Sequence, residues 1–248
     1  MPSIHKNLVL DHIYFSLLND EFLELKSIFS KFECVSHDIV NSDGESWEGL
    51  YLYTRGFNYL EFVREYRDDA MGICQKPYGT LYQDSAHILT DFPELPWKTF
   101  SRSAEGKPWF SSYSLEDNQN PKTLFNTWVM RYYQHDSGNL LKLKKFEIEK
   151  VCRIEVSANL DLLETIKKNS SWMIAQINFD KNKVSFKFQT YFSDDYELVI
   201  NLDQKTKGFR FESALFHLKD SSVAAESMMN VFKSEIFDKT LNISRIKK

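Results

Sequence analysis

The spacing of apolar side chains along the first 65 residues predicts a strand, a helix and then three strands. Residues 8–16, LVLDHIYFS, are rich in β-branched and aromatic residues and contain neither Gly nor Pro, which is typical of a strand. Strand patterns return at 34–40, 47–53 and 57–63, and the short turns between them predict an antiparallel meander. Between the first and second strands, apolar residues recur at helical spacing: Phe22, Leu25, Ile28, Phe29 and Phe32.

A similar order of elements begins near residue 151. Residues 151–157, VCRIEVS, predict a second opening strand, and LDLLETIKKN predicts the short helix that follows. Further strands are predicted at about 172–179, 184–192, 196–202 and 209–218. This copy has one strand more than the first, and no sequence identity links the two. The two copies predict an α+β fold of two βαβββ-type modules with mostly antiparallel curved sheets.

The ends of the two copies are less regular. Residues 66–120 predict a long irregular insertion, because they hold many turn-forming residues: Gly72, Pro77, Gly79, Pro93, Pro96, Gly106 and Pro108. The tail from Ser221 predicts a helix, with these residues on one face: Val223, Met228, Met229, Phe232 and Ile236. The predicted organisation is a first module at 1–65, an irregular insertion with connecting elements at 66–150, and a second module with a C-terminal helix at 151–248.

Composition narrows the class of protein. The formal net charge of −4 leaves no basic excess to neutralise a phosphate backbone, which argues against a nucleic-acid partner. Cys34, Cys74 and Cys152 form no CxxC pair, and their odd number indicates a reducing compartment. The chain shows neither a signal-peptide pattern nor a run of about 18 apolar residues, so we expect no membrane association and a cytoplasmic location.

The first copy resembles the glyoxalase/bleomycin-resistance/extradiol-dioxygenase superfamily, also called the vicinal-oxygen-chelate superfamily. The residues that carry the resemblance are LDHIYF (10–15) before the helix, then DGESWEGLYLY (43–53) and NYLEFVRE (58–65). The same combination is similar to a bacterial branch of glyoxalase-like proteins from which no activity carries over, and TWVMRYY (127–133) fits that branch.

The resemblance implies a metal-binding pair. In that superfamily a His on the first strand and a Glu on the last strand of a module bind a divalent metal, and the matching residues here are His12 and Glu61. Imidazole and carboxylate suit Zn, Ni, Mn or Fe, and a catalytic site needs at least three protein ligands. Aligning VCRIEVS with LDHIYFS places Arg153 opposite His12, and an Arg cannot bind a metal because it stays protonated. Glu155, on the same strand face, is predicted to act with Glu61 as a catalytic carboxylate.

The leading interpretation is a small-molecule-binding protein in which the two modules face each other around one cavity. The cavity would be lined by His12, Tyr14, Tyr53, Tyr59, Glu61, Arg153 and Glu155. With a divalent metal bound, we expect lyase, isomerase or dioxygenase chemistry on a substrate with vicinal oxygens. Without one, His12, Glu61 and Arg153 form a plain polar network and the ligand is sequestered.

The role of residues 66–120 and the oligomeric state both stay open. A protein-interaction module formed by residues 66–120 is a third interpretation. Because paired modules can meet within one chain or between two chains, a homodimer is compatible with the same pattern. Whether the chain is an enzyme is not decided by these patterns.

Overall fold

Two eight-stranded sheets with the same strand order dominate the fold. The structure is a computed structural model, and it describes residues 8–42, 45–55, 58–64, 69–77, 98–101, 108–114, 124–132, 147–171, 173, 175–190, 196–219 and 227–246. Within these ranges the chain is mainly strands with few helices, and no helix is both long enough and apolar enough to cross a membrane.

The first sheet uses the first half of the chain. Its strands and the helix that follows the first of them are β1 (Leu8–Leu17), α1 (Asn19–Phe29), β2 (Val35–Ser42), β3 (Glu45–Tyr53), β4 (Tyr59–Arg64), β5 (Met71–Pro77), β6 (Lys98–Ser101), β7 (Pro108–Ser114) and β8 (Phe125–Tyr132). The spatial order is β2-β3-β4-β1-β5-β8-β7-β6. Strands β1 and β4 pair in parallel, as do β5 and β8, and the other neighbours are antiparallel.

The second sheet repeats this order as β10-β11-β12-β9-β13-β16-β15-β14. Its elements are β9 (Ile148–Asn159), a 3-10 turn (Leu160–Leu162), α2 (Leu163–Ser170), β10 (Gln176–Asp180), β11 (Lys183–Phe188), β12 (Tyr196–Asp203), β13 (Phe209–Leu218), β14 (Ser227–Met228), β15 (Phe232–Phe237) and β16 (Thr240–Arg245). Strands β9 and β12 are parallel, whereas β13 and β16 are antiparallel, so the last unit is not an exact copy of β5–β8.

The shared order explains the extra strand in the second copy. That strand is β13, and its counterpart in the first sheet is β5 (Met71–Pro77), which lies inside the stretch predicted as an irregular insertion. The described residues of 66–150 supply β5 to β8 of the first sheet and the start of β9. Much of 66–120 lies outside the described residues.

The predicted C-terminal helix is wrong, because β14, β15 and β16 occupy its place. Met228, Met229, Phe232 and Ile236 satisfy a helical spacing, but Phe232 and Ser234 are buried by alternation along β15, as are Leu241 and Ile243 along β16. The two strands join at Asp238-Lys239, where Asp238 takes a positive φ of 53°. This short turn closes a hairpin and excludes a continuous helix.

The apolar core lies between the two sheets. Phe15 and Phe62 of the first sheet pack on Phe211 of the second, with ring centroids 5.4 and 5.0 Å apart. Helix α1 adds Phe29, which meets Phe216 at 5.7 Å, and the amide of Asn169 in α2 donates to the carbonyl oxygen of Phe125. Each sheet therefore has an inner face on this core and an opposite face, which we call its outer face.

A β-bulge in β1 decides which side chains reach the outer face. The register between β1 and β5 shifts between Leu10 and His12, so Asp11 is the extra residue. Side chains normally alternate between faces, but a bulge lets two consecutive residues share one. Strand β9 has a corresponding bulge at Cys152, directly before Arg153. The bulge thus occurs at equivalent places in both sheets, in agreement with the alignment of LDHIYFS with VCRIEVS.

Candidate functional site

Two rows of paired side chains cross the outer face of the first sheet. Both follow from strand register, because residues opposite one another on neighbouring strands point to the same side. The aromatic row runs across five strands through Tyr53, Tyr59, His12, Cys74 and Trp128. The polar row, two residues along each strand, runs through Tyr51, Glu61, Tyr14, Gly72 and Asn126.

A buried line of three linked side chains runs from Lys76 through Asp11 to His12. The ammonium Nζ of Lys76 lies 2.8 Å from Asp11 Oδ1, and Asp11 Oδ2 lies 2.7 Å from His12 Nδ1. Burial raises the pKa of Asp11, but Lys76 and His12 outweigh it and hold that pKa well below its usual range. An ionised carboxylate can only accept hydrogen bonds, so His12 Nδ1 carries the proton. In the neutral imidazole, Nε2 is then left with a free lone pair.

Glu61 faces that lone pair. Its Oε2 lies 3.6 Å from His12 Nε2, which is too long for a hydrogen bond, and its side chain is only 11% exposed. Burial raises the pKa of Glu61, and the negative charge of Asp11 adds to this, whereas His12 and the Tyr51 hydroxyl oppose it. The Tyr51 hydroxyl in turn accepts a hydrogen bond from the Trp47 indole at 3.1 Å. The site therefore places a base beside a carboxyl group whose charged form is disfavoured.

Stacked rings fix the positions of these groups. The His12 ring lies on Tyr59 with centroids 4.4 Å apart and planes at 15°. Tyr14 lies flat across Gly72, where the Cβ of any larger residue would come within 2.0 Å of the Tyr14 ring, so only Gly fits. Tyr14 also stacks on Trp128 at 5.4 Å, and its hydroxyl accepts a hydrogen bond from the Asn126 amide. The aromatic side chains thus form fixed walls around the polar pair.

Arg153 and Glu155 lie elsewhere, on the outer face of the second sheet. Arg153 Nε and Nη2 lie 2.9 and 2.8 Å from Glu155 Oε1, and Nη1 lies 2.8 Å from Glu197 Oε2. The sheets meet through their inner faces, so the expectation of one cavity shared by His12, Glu61, Arg153 and Glu155 is wrong. The predicted residues Tyr14, Tyr53, Tyr59, His12 and Glu61 do share one face.

The sequence prediction missed Asp11 and Lys76. Asp11 directly precedes His12, and strict alternation along a strand would send the two side chains to opposite faces. No pattern of apolar residues signals the bulge that brings them together. Lys76 lies in β5, within the stretch predicted as irregular, so its place beside Asp11 could not be derived.

A catalytic metal needs at least three protein ligands, and the described residues offer two. The 3.6 Å between His12 Nε2 and Glu61 Oε2 suits two ligands of one ion, each about 2.0–2.2 Å from it. Asp11 is already paired with Lys76 and His12. Within the described ranges no group of three His, Cys, Asp or Glu side chains is arranged to hold a metal. The donor set of the described residues therefore falls one ligand short of a catalytic metal site.

Comparisons with known proteins give fold-level similarities at low identity. No family model matches the chain, and no curated protein does. A xylose isomerase-like TIM barrel/4-hydroxyphenylpyruvate dioxygenase fusion protein matches over 89% of this chain and 38% of its own, with 9% identity and a TM-score of 0.43. Catechol 2,3-dioxygenase matches over 96% and 95%, with 12% identity and a TM-score of 0.41. Glyoxalase I from Zea mays matches over 78% and 67%, with 9% identity and a TM-score of 0.30.

All three of these similarities are at 12% identity or less and at TM-scores of 0.43 or less. The chain spans well under half of the fusion protein. Similarities at this level show nothing about the chemistry of this chain, and only its own contacts bear on its function.

Proposed function

We propose that the outer face of the first sheet binds a small organic molecule, with His12 and Glu61 as its polar centre. The observation that carries this proposal is the line from Lys76 through Asp11 to His12, which ends 3.6 Å from Glu61. Burying charged and polar groups is costly unless they are fully paired. The open spacing between His12 Nε2 and Glu61 Oε2 is the one place on this line where a ligand atom would complete the pairing.

The chemistry of the pair defines what the ligand offers. His12 Nε2 accepts a hydrogen bond, and Glu61 in its neutral form donates one. A hydroxyl group between them would therefore be held from both sides, whereas a carbonyl oxygen would be held by Glu61 alone. The rings of Tyr14, Tyr59 and Trp128 supply flat apolar walls, which favour a planar ligand. If a reaction follows binding, these two residues are placed to move a proton, as general base and general acid.

Ligand binding is tested by thermal-shift screening of a small-molecule library in the presence of a chelator. We expect compounds with a planar apolar part and a hydroxyl or carbonyl group to raise the melting temperature. The shift should vanish in His12→Ala and Glu61→Ala and persist in His37→Ala, which alters a histidine on the exposed ion-paired surface of β2. Stabilisation that survives both site variants would refute the proposal.

The metal-dependent alternative is separated by measuring bound metal in the purified native protein. We expect the purified protein to contain far less than one equivalent of Zn, Ni, Mn or Fe, and we expect His12→Ala to leave this metal content unchanged. About one equivalent, lost in both His12→Ala and Glu61→Gln, would instead support metal-dependent lyase, isomerase or dioxygenase chemistry on a substrate with vicinal oxygens.

A further inference from the structure

The outer face of the second sheet contains a hollow of its own. Its volume is about 600 Å³, within the range of small-molecule sites. One row of its lining, set by strand register, consists of Arg153, Leu215, Asn242 and Glu235. Beside this row, the paired residues Phe237 and Thr240 close the end at the β15–β16 hairpin. The hollow occupies the place in the second sheet that the His12 site occupies in the first.

The charges of the hollow disfavour an anionic ligand. Arg153 donates to Glu155 from Nε and Nη2 and to Glu197 from Nη1, so its guanidinium fork is already engaged by carboxylates. The lining holds one cation, Arg153, against two carboxylates, Glu155 and Glu235. The partners just outside, Glu197 and Lys233, cancel each other. A net negative charge therefore remains for a ligand.

An exposed ring lies at the edge of the hollow. Phe237 is 86% exposed, well above the 44% of Phe179 in the same sheet. The Asp238 turn, with its positive φ, holds Phe237 opposite Thr240. The face of an aromatic ring attracts cations through its quadrupole, so the ring and the carboxylates favour the same kind of ligand.

We infer that this hollow binds a small organic cation, of the alkyl- or arylammonium class. The ammonium group lies against the face of the Phe237 ring and toward Glu155 and Glu235, and the apolar part packs on Leu215. This site is independent of the His12 site, because its residues lie on the opposite side of the shared core.

The test is an NMR titration of the full chain with benzylammonium, using benzyl alcohol and benzoate as its neutral and anionic counterparts. We expect millimolar binding of benzylammonium, weaker binding of benzyl alcohol and none of benzoate. Phe237→Ala should weaken benzylammonium binding about two- to fivefold, and Glu235→Gln about twofold at low salt. Phe179→Ala is the matched control, since it removes an exposed ring from an edge strand of the same sheet.

Three results would overturn the inference. Equal binding of the three probes would show that charge does not select the ligand. An equal loss in Phe179→Ala and Phe237→Ala would show that the contact is not at the hollow. Loss of binding in His12→Ala would place the cation at the first site, whereas failure of the first proposal leaves this titration unchanged.

Discussion

Glu61→Gln removes the charge of a buried side chain and nearly keeps its shape, so it measures the free-energy cost of burying the carboxylate. Gln has nearly the shape of a protonated Glu, so its carbonyl oxygen can accept from Tyr51 while its amide faces His12. Burial raises the pKa of Glu61, so the charged form is less favourable in the folded protein than in the unfolded chain. A raised pKa lowers stability at pH values where the unfolded chain would be ionised. Removing the charge should therefore stabilise the fold near neutral pH.

The magnitude follows from the surroundings of the carboxyl group. The side chain is only 11% exposed, so an ionised carboxylate loses most of its hydration there. His12 at 3.6 Å and the Tyr51 hydroxyl offset part of the burial cost. We expect a net gain on the order of 1–2 kcal/mol for Glu61→Gln near neutral pH.

The assay is urea denaturation of both proteins at several pH values. The gain should shrink as the pH falls toward about 4.3, the value for a free Glu side chain, and vanish below it, because the carboxyl group is then protonated in the folded and the unfolded chain alike. Asp11→Asn is unsuitable as a control, since it would leave Lys76 buried without its charge partner. A loss of stability in Glu61→Gln at neutral pH would refute the reasoning and indicate that the carboxylate has a strong cationic partner.

Substitutions at three further positions test the packing. Gly72→Ala should displace Tyr14 and lower the free energy of unfolding by about 1–3 kcal/mol, measured by urea denaturation. The near-ultraviolet circular dichroism signal of the Tyr14–Trp128 stack should change as well. The Glu24 carboxylate accepts hydrogen bonds from the backbone N–H groups of residues 230–232. Urea denaturation should therefore show a free energy of unfolding lower by about 3 kcal/mol in Glu24→Ala and by about 1 kcal/mol in Glu24→Gln. Equal losses in the two variants would contradict this. The buried Tyr196 hydroxyl has no hydrogen-bond partner within the described chain, so Tyr196→Phe should keep or raise the melting temperature.

The sequence predicted the parts of the fold that depend on local periodicity. The strand, helix and meander of the first copy and the opening strand of the second follow from apolar spacing. The pair of His12 and Glu61 was implied by the family resemblance instead. The hairpin of β15 and β16 was missed because its apolar residues also satisfy a helical spacing. Strand β5 was missed because Gly72 and Pro77 resemble turn residues, whereas Gly72 is needed beneath the Tyr14 ring.

Long-range register set the rest of the site, and spacing along the chain does not encode it. Lys76 reaches Asp11 only because β5 pairs with β1, across more than 60 residues of sequence. Arg153 and Glu155 were placed in the wrong cavity for the same reason. Periodicity identifies the face of a strand, but not whether that face meets the other sheet or points away from it.

The repeated bulge bears on why the first site is polar. Cys152 and Arg153 occupy the bulge of β9, so this backbone shape forms without an Asp-His pair. The line from Lys76 to Asp11 and His12 is therefore not required to build the strand, and a small apolar residue at position 11 would satisfy the same geometry. Because buried ion pairs rarely stabilise a fold more than apolar packing does, folding alone gives no reason for this one. A requirement to hold His12 with its Nε2 lone pair directed at Glu61 does give a reason.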